Sequence, residues 1–129
     1  MRMWMTDPTT MCRKHLLGEH VELHMLVGAL RKGISLYGYI KNDLIEPSMI
    51  FFRHKQIAEE MVDRGYNHKS PLSIKDTMRT DHLAPYQVMH RINRHVARED
   101  LHSRCPECKQ RHDQMYDDNQ SGTHTWRMV

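Results

Sequence analysis

Apolar residues recur at three- and four-residue intervals in three stretches of the chain, and that spacing predicts three helices. In the first, from about Pro8 to Lys32, Leu16, Leu23, Leu26, Val27 and Leu30 share one broad face at about 100° per residue. Leu17, Val21 and Met25 form a second face. Apolar surface on two sides predicts a helix running through the middle of the protein. Asp7-Pro8 supplies an N-cap and a first-turn proline, and Gly33 a stop. Gly18 and Gly28 cost about 1 kcal/mol each inside a helix. Their presence suggests a close backbone approach there by the N-terminal segment.

Beyond Gly33 the pattern lapses. Ile34 to Pro47 reads as loop, with irregular structure over Leu36 to Ile40. Ser48 caps a second helix, about Met49 to Arg64, with Ile50, Phe51, Ile57, Met61 and Val62 inward and Gly65 at its end. Tyr66 to Pro71 is a polar, basic loop, and Ser73 to Leu83 has room for a turn of helix. Pro85 starts a third helix reaching about Ser103, with Val88, Met89, Ile92, Val96 and Leu101 inward. Cys105-Pro106 breaks it. Residues 115–129, which include Trp126, read as a loosely ordered tail. The expected fold is all-α: one compact domain over residues 1–129, about three helices with long loops, the first helix central.

Composition narrows the classes. The chain has 129 residues, 39% hydrophobic, so its core is thin, and eleven Met suit irregular packing. A net charge of +3 and eleven His permit an acidic partner. No apolar run approaches the roughly 20 residues of a membrane span, and Asp7-Pro8 follows too early for a signal peptide. Three Cys without a secretion signal fit a reducing compartment, so a cytoplasmic monomer is expected. Cys105-x-x-Cys108, with His102 and His112 near, invites a zinc reading, but a complete ligand set at standard spacing is lacking. Two buried thiols at a helix end are expected instead, with no metal and no cofactor.

The chemistry concentrates in the first helix. His15, Glu19 and Glu22 lie on one side, and Arg13, His20, His24 and Arg31 on the other. A helix glutamate is ordinarily solvated, and His20 and His24 at i and i+4 are more often solvent-facing than ligands. The third helix carries Arg91, Arg94, His95 and Arg98, a solvated side or a DNA-backbone contact.

Three segments in order resemble the pyrimidine-dimer DNA glycosylase family of the ultraviolet-repair endonuclease V type. They are His15-Leu16-Leu17-Gly18-Glu19-His20-Val21-Glu22-Leu23, then Gly28-Ala29-Leu30-Arg31-Lys32, then Arg64-Gly65-Tyr66-Asn67-His68-Lys69. The resemblance covers about residues 1 to 75. It implies a helical domain without a sheet, a double-stranded DNA substrate that is damaged or abasic, and a sharply bent duplex with one nucleotide extruded. It implies that Glu22 is the catalytic acid/base and that the nucleophile is the α-amine of Met1, followed by Arg2. Met1 is then expected to be retained, since initiator methionine is not generally removed before a side chain as large as Arg2. An α-amine ordinarily titrates near ~8, well below lysine, and so needs no buried pocket to become nucleophilic. Attack on deoxyribose C1′ expels the base and forms an imine, and β-elimination then cuts the strand. Arg2, His15, Arg31, Lys32, Asn67, Lys69, Arg91 and Arg94 are the expected DNA contacts. Val21 and Met25 stand where the family's best-studied form has arginines, which leaves the base lesion open. Two other readings share these residues: a non-enzymatic binder of damaged or bent DNA, and a metal-dependent nuclease using His20, Glu22, His24 and the Cys pair.

Overall fold

The computed structural model describes the backbone of residues 1–126 and the side chains of residues 1–116. Among the described residues it is all helical, with no strand. Seven α-helices follow in order: α1 (Arg13–Lys32), α2 (Tyr37–Lys41), α3 (Ile50–Asp63), α4 (Ile74–Thr77), α5 (Pro85–Val88), α6 (Arg94–Arg104) and α7 (Pro106–Trp126). The tail expected from residue 115 is helical as far as Trp126; its side chains from residue 117 onward, that of Trp126 included, lie outside the described residues.

α1 packs chiefly against α3 and also against α4, while α6 packs against α7. Leu16, Leu23, Leu26, Val27 and Leu30 are buried, as their spacing predicts. They meet Ile50 and Ile57 of α3 and the methionines of the N-terminal segment in one core. Gly33 ends α1 in the left-handed conformation (φ 67°), and Gly65 takes the same region (φ 81°) just after α3.

Several expectations are corrected. The first helix does not start at Pro8: Asp7 caps a separate 3-10 turn, Pro8–Thr10, and Cys12 caps α1 itself. The second apolar face of α1 is open, with Val21 54% and Met25 53% exposed. Glu19 and His20, on opposite sides of the first apolar face, are buried instead. Periodicity ranks apolar faces above polar ones, but here charged partners on α3 and the N-terminal segment decide the orientation. A Cβ at Gly18 or Gly28 would meet open space, so neither serves a close approach. Leu36–Ile40 is not irregular; it contributes to the short α2. α3 begins at Ile50 after a 3-10 turn at Pro47–Met49, with Phe51 half-buried and Val62 exposed. The third helix is two: α5 stops at Val88, and α6 starts at Arg94, capped by the side chain of Asn93. Met89 and Val96 are consequently exposed, and Ala97 takes the inward position.

Before α1 the chain runs extended and buried. Met3, Trp4, Met5 and Thr6 are all covered, and the Met3 N–H donates to the Leu44 carbonyl at 2.7 Å. Met5 has φ 56°, uncommon for a residue with a Cβ, so surrounding contacts must hold it there.

Candidate active site

Two carboxylates of α1, Glu19 and Glu22, sit one helical turn apart under the N-terminal segment. The main-chain N–H of Trp4 donates to Glu19 Oε1 at 3.1 Å, and that of Arg2 faces Glu22 and favours its charged form. The segment therefore runs antiparallel to α1. This register brings the Met1 α-ammonium close enough to act on the Glu22 charge.

The two carboxylates differ in kind. Glu19 is 1% exposed and receives Arg53 of α3 through Nε at Oε2 and Nη2 at Oε1 (3.0 Å). Arg53 is itself 1% exposed, and its Nη1 donates to the Thr6 carbonyl at 2.7 Å. With its proton sites and lone pairs engaged, this pair fixes structure. Glu22 is half-buried and has no such partner. Burial pushes its carboxyl above the usual range; the Met1 ammonium, the Arg2 N–H and the Arg2 guanidinium pull it down, and Glu19 pushes it further up. A carboxyl raised by desolvation beside an amine is suited to hold and release a proton.

Arg2 lies flat on Trp4, its guanidinium carbon 3.6 Å from the ring centroid, and donates through Nη1 to Asp100 of α6 at 2.7 Å. Arg64, which ends α3, donates to the carbonyls of Pro8 (3.0 Å) and Met11 (2.7 Å). Tyr66 stacks under Arg13, 4.5 Å from ring centroid to guanidinium carbon. The Arg64-Gly65-Tyr66 segment thus braces the N-terminal segment that begins at Met1.

The remaining expected DNA contacts are dispersed. Arg31 and Lys32 are exposed in the last turn of α1, about 14 Å along the axis from Glu22. Asn67 and Lys69 are exposed in the loop after α3. Arg91 and Arg94 donate to Glu46 Oε1 at 3.2 and 3.1 Å, compensating a carboxylate that is fully buried. His15 is half-buried, with its ring edge-on to Trp4 at 6.0 Å and Nδ1 turned to Cys12 and Cys108.

Two clusters of metal-ligand type are assembled from distant parts of the chain. Cys12, His15, Cys105 and Cys108 bring their donor atoms within 4.8 Å of one another. His102 and His112 are not part of that group; they stack on each other at 4.8 Å. His20, His54 and His68 form the second cluster, and His24 Nε2 lies 3.2 Å from His54 Nε2. Burial, and then repulsion from their neighbours, pushes His20 and His54 down to about 4, so both rings are uncharged at neutral pH. Sequence spacing pairs only His20 with His24; nothing in it points to His54, Arg53 or Cys12, which join these sites through tertiary contacts alone.

A family model described as pyrimidine dimer DNA glycosylase matches residues 1–74. No curated protein and no solved structure matches the chain. The matched stretch holds the N-terminal segment, α1 to α3 and the bracing loop; α5, α6 and α7 lie beyond it.

Proposed function

Since the chain belongs to the pyrimidine dimer DNA glycosylase family, and is thereby a DNA repair glycosylase, we propose that it removes its base lesion by amine catalysis and then cleaves the strand as an AP lyase. The lesion is a pyrimidine dimer or a related damaged base. The observation that carries this reading is the course of the N-terminal segment over α1, anchored by the Trp4 N–H on Glu19, which brings the Met1 α-ammonium to bear on the half-buried Glu22 carboxyl.

The amine, once unprotonated, attacks C1′ of the extruded nucleotide, and the C1′–N bond breaks with its electron pair leaving on the base. Loss of the amine proton and opening of the C1′–O4′ bond give the imine, and O4′ takes up a proton. Glu22, whose raised carboxyl retains a proton more readily than an ordinary glutamate, supplies it. As a carboxylate it then stabilises the cationic sugar and accepts a 2′ proton. The electron pair released at C2′ expels the 3′ oxygen with its phosphate, which is the β-elimination. Arg2 acts in this scheme by exchanging Asp100 for a DNA phosphate, a pairing of the same geometry. Glu19 has no chemical step; with Arg53 it sets the register that brings residue 1 to Glu22.

Borohydride trapping on an abasic-site duplex, run with and without EDTA, tests this. The expected result is a covalent adduct that maps to Met1 under both conditions. Glu22→Gln should abolish strand cleavage while DNA binding persists. Tight binding with no adduct would favour the non-enzymatic binder, an adduct at a lysine would remove Met1 from its role, and adduct-free cleavage lost with EDTA would mark a metal-dependent nuclease. A residue left ahead of Met1 should likewise silence the lyase.

A further inference from the structure

We propose that Cys12, His15, Cys105 and Cys108 bind a zinc-class divalent ion in a Cys3His site that fastens α6 and α7 to the start of α1. Cys12 Sγ lies 3.7 Å from Cys105 Sγ and 3.2 Å from His15 Nδ1, and Cys108 Sγ lies 3.8 Å from His15 Nδ1. Tetrahedral zinc, with bonds of about 2.3 Å to sulfur and about 2.0 Å to nitrogen, requires donor separations of roughly 3.8 Å (S···S) and 3.5 Å (S···N). The observed spacings fall around those values. They are far from the ~2.05 Å of a disulfide, and all three thiols are free and buried.

The backbone is arranged for the same end. Cys12-x-x-His15 occupies the N-cap and first turn of α1, and Cys105-x-x-Cys108 the corresponding position at the start of α7. Each half has the two-residue gap of a metal knuckle, with its donors at a helix N-terminus where negative charge is favoured. Main-chain N–H groups point at the sulfurs: Cys12 N at Cys108 Sγ (3.2 Å), Cys108 N at Cys105 Sγ (3.3 Å) and His15 N at Cys12 Sγ (3.5 Å). Binding converts three thiols to thiolates, each yielding its proton to solvent, while His15 coordinates as the neutral ring. The site lies against Trp4 through His15, so it also supports the N-terminal segment.

The His20, His54 and His68 cluster independently carries a second site, and we infer that it holds a divalent ion through imidazole nitrogen alone. His20 Nε2 is 3.2 Å from His54 Nε2 and 3.1 Å from His68 Nε2, while His24 Nε2, at the edge of the group, donates to the Ser70 carbonyl at 3.0 Å. His20 Nε2 meets both of the other nitrogens and offers either one hydrogen or one lone pair, so hydrogen bonding alone does not satisfy both contacts. A central cation bonded to about 2.0 Å nitrogens needs edges of roughly 3.3 Å and uses every lone pair.

Metal content separates the two sites, and neither readout is catalytic. The full chain, purified without chelator and supplied with zinc, should carry two ions. Cys108→Ser should lose one of them, and His54→Ala the other. With cobalt(II) in place of zinc, a thiolate-to-metal absorption band should be present in the wild type and in His54→Ala and absent in Cys108→Ser. If a variant fails to fold, titration of the wild type with a mercurial reagent still decides the thiol site: three thiols should react as one zinc is released. Thiols that react without releasing metal, or a chain oxidised to a disulfide and free of zinc, would overturn the Cys3His site. A single ion per chain that survives His54→Ala would overturn the histidine site.

Discussion

Arg53→Met isolates the device that holds the N-terminal segment. Arg53 and Glu19 are both about 1% exposed, so the substitution leaves the Glu19 carboxylate buried, with the Trp4 N–H as its remaining hydrogen-bond donor. Removing one partner of a buried pair costs about 3–5 kcal/mol. For 129 residues the unfolding entropy near the melting temperature is about 0.27 kcal/mol/K, so the melting temperature should fall by about 10–20 °C. The double variant Glu19→Gln/Arg53→Met buries no charge and should recover most of that loss. What it does not recover is the bond to the Thr6 carbonyl. Trapping should therefore stay slow in the double variant even where its stability is restored, because the register of residue 1 over Glu22 is no longer fixed. Thermal and denaturant unfolding of the wild type, both single variants and the double variant give the coupling energy, and trapping rates are read on the same four proteins. A loss below about 1 kcal/mol for Arg53→Met, or a double variant no more stable than the single, would refute the reasoning from buried charge.

Glu22→Gln should raise stability at neutral pH. A carboxyl whose folded pKa is raised costs stability once ionised, fully so above the raised value, and the cost vanishes below the ordinary glutamate value. The gain should therefore fade as pH falls; a gain that grows in acid would invert the assignment. Arg2→Gln should lower the slope of log K against log salt by about 0.9 if Arg2 leaves Asp100 for a phosphate, whereas an unchanged slope would keep it on Asp100. Gly18→Ala and Gly28→Ala, with open space for each Cβ, should each stabilise the fold by up to about 1 kcal/mol in melting experiments. Destabilisation at either position would mean that a contact there matters.

Apolar periodicity made the long elements readable because α1 and α3 bury continuous stripes: Leu16, Leu23, Leu26 and Leu30 on one, Ile50, Ile57 and Met61 on the other. It misled wherever a polar group took the inward place. Glu19 and His20 are buried where Val21 and Met25 have the stronger apolar claim, because Arg53 meets the one and the histidine cluster encloses the other. It also ran α5 into α6, since the side chain of Asp43 meets the Asn93 N–H and that of Glu46 the Ile92 N–H between them, and no local pattern announces those bonds. Glu22 was singled out through the family resemblance; Arg53, His54 and Cys12 were not singled out, because the partners Glu19, His20 and Cys105 lie 34 or more residues from them.

A chain terminus ordinarily frays, since few contacts offset the entropy of ordering it. Here the segment is held at several polar points. Glu19 takes the N–H of Trp4, Arg53 takes the Thr6 carbonyl, and Arg64 those of Pro8 and Met11. Burying the Glu19–Arg53 pair is at best neutral for stability compared with an apolar replacement. The arrangement is better explained by position than by stability: it confines residue 1 to one place on α1. The part of the chain beyond residue 74 acts on the same segment. Asp100 of α6 holds the Arg2 guanidinium, Arg111 of α7 donates to the Thr9 carbonyl, and Cys108 accepts the Cys12 N–H. The C-terminal helices thus finish an enclosure that the family-matched stretch begins, and it closes around the segment that places the Met1 amine beside Glu22.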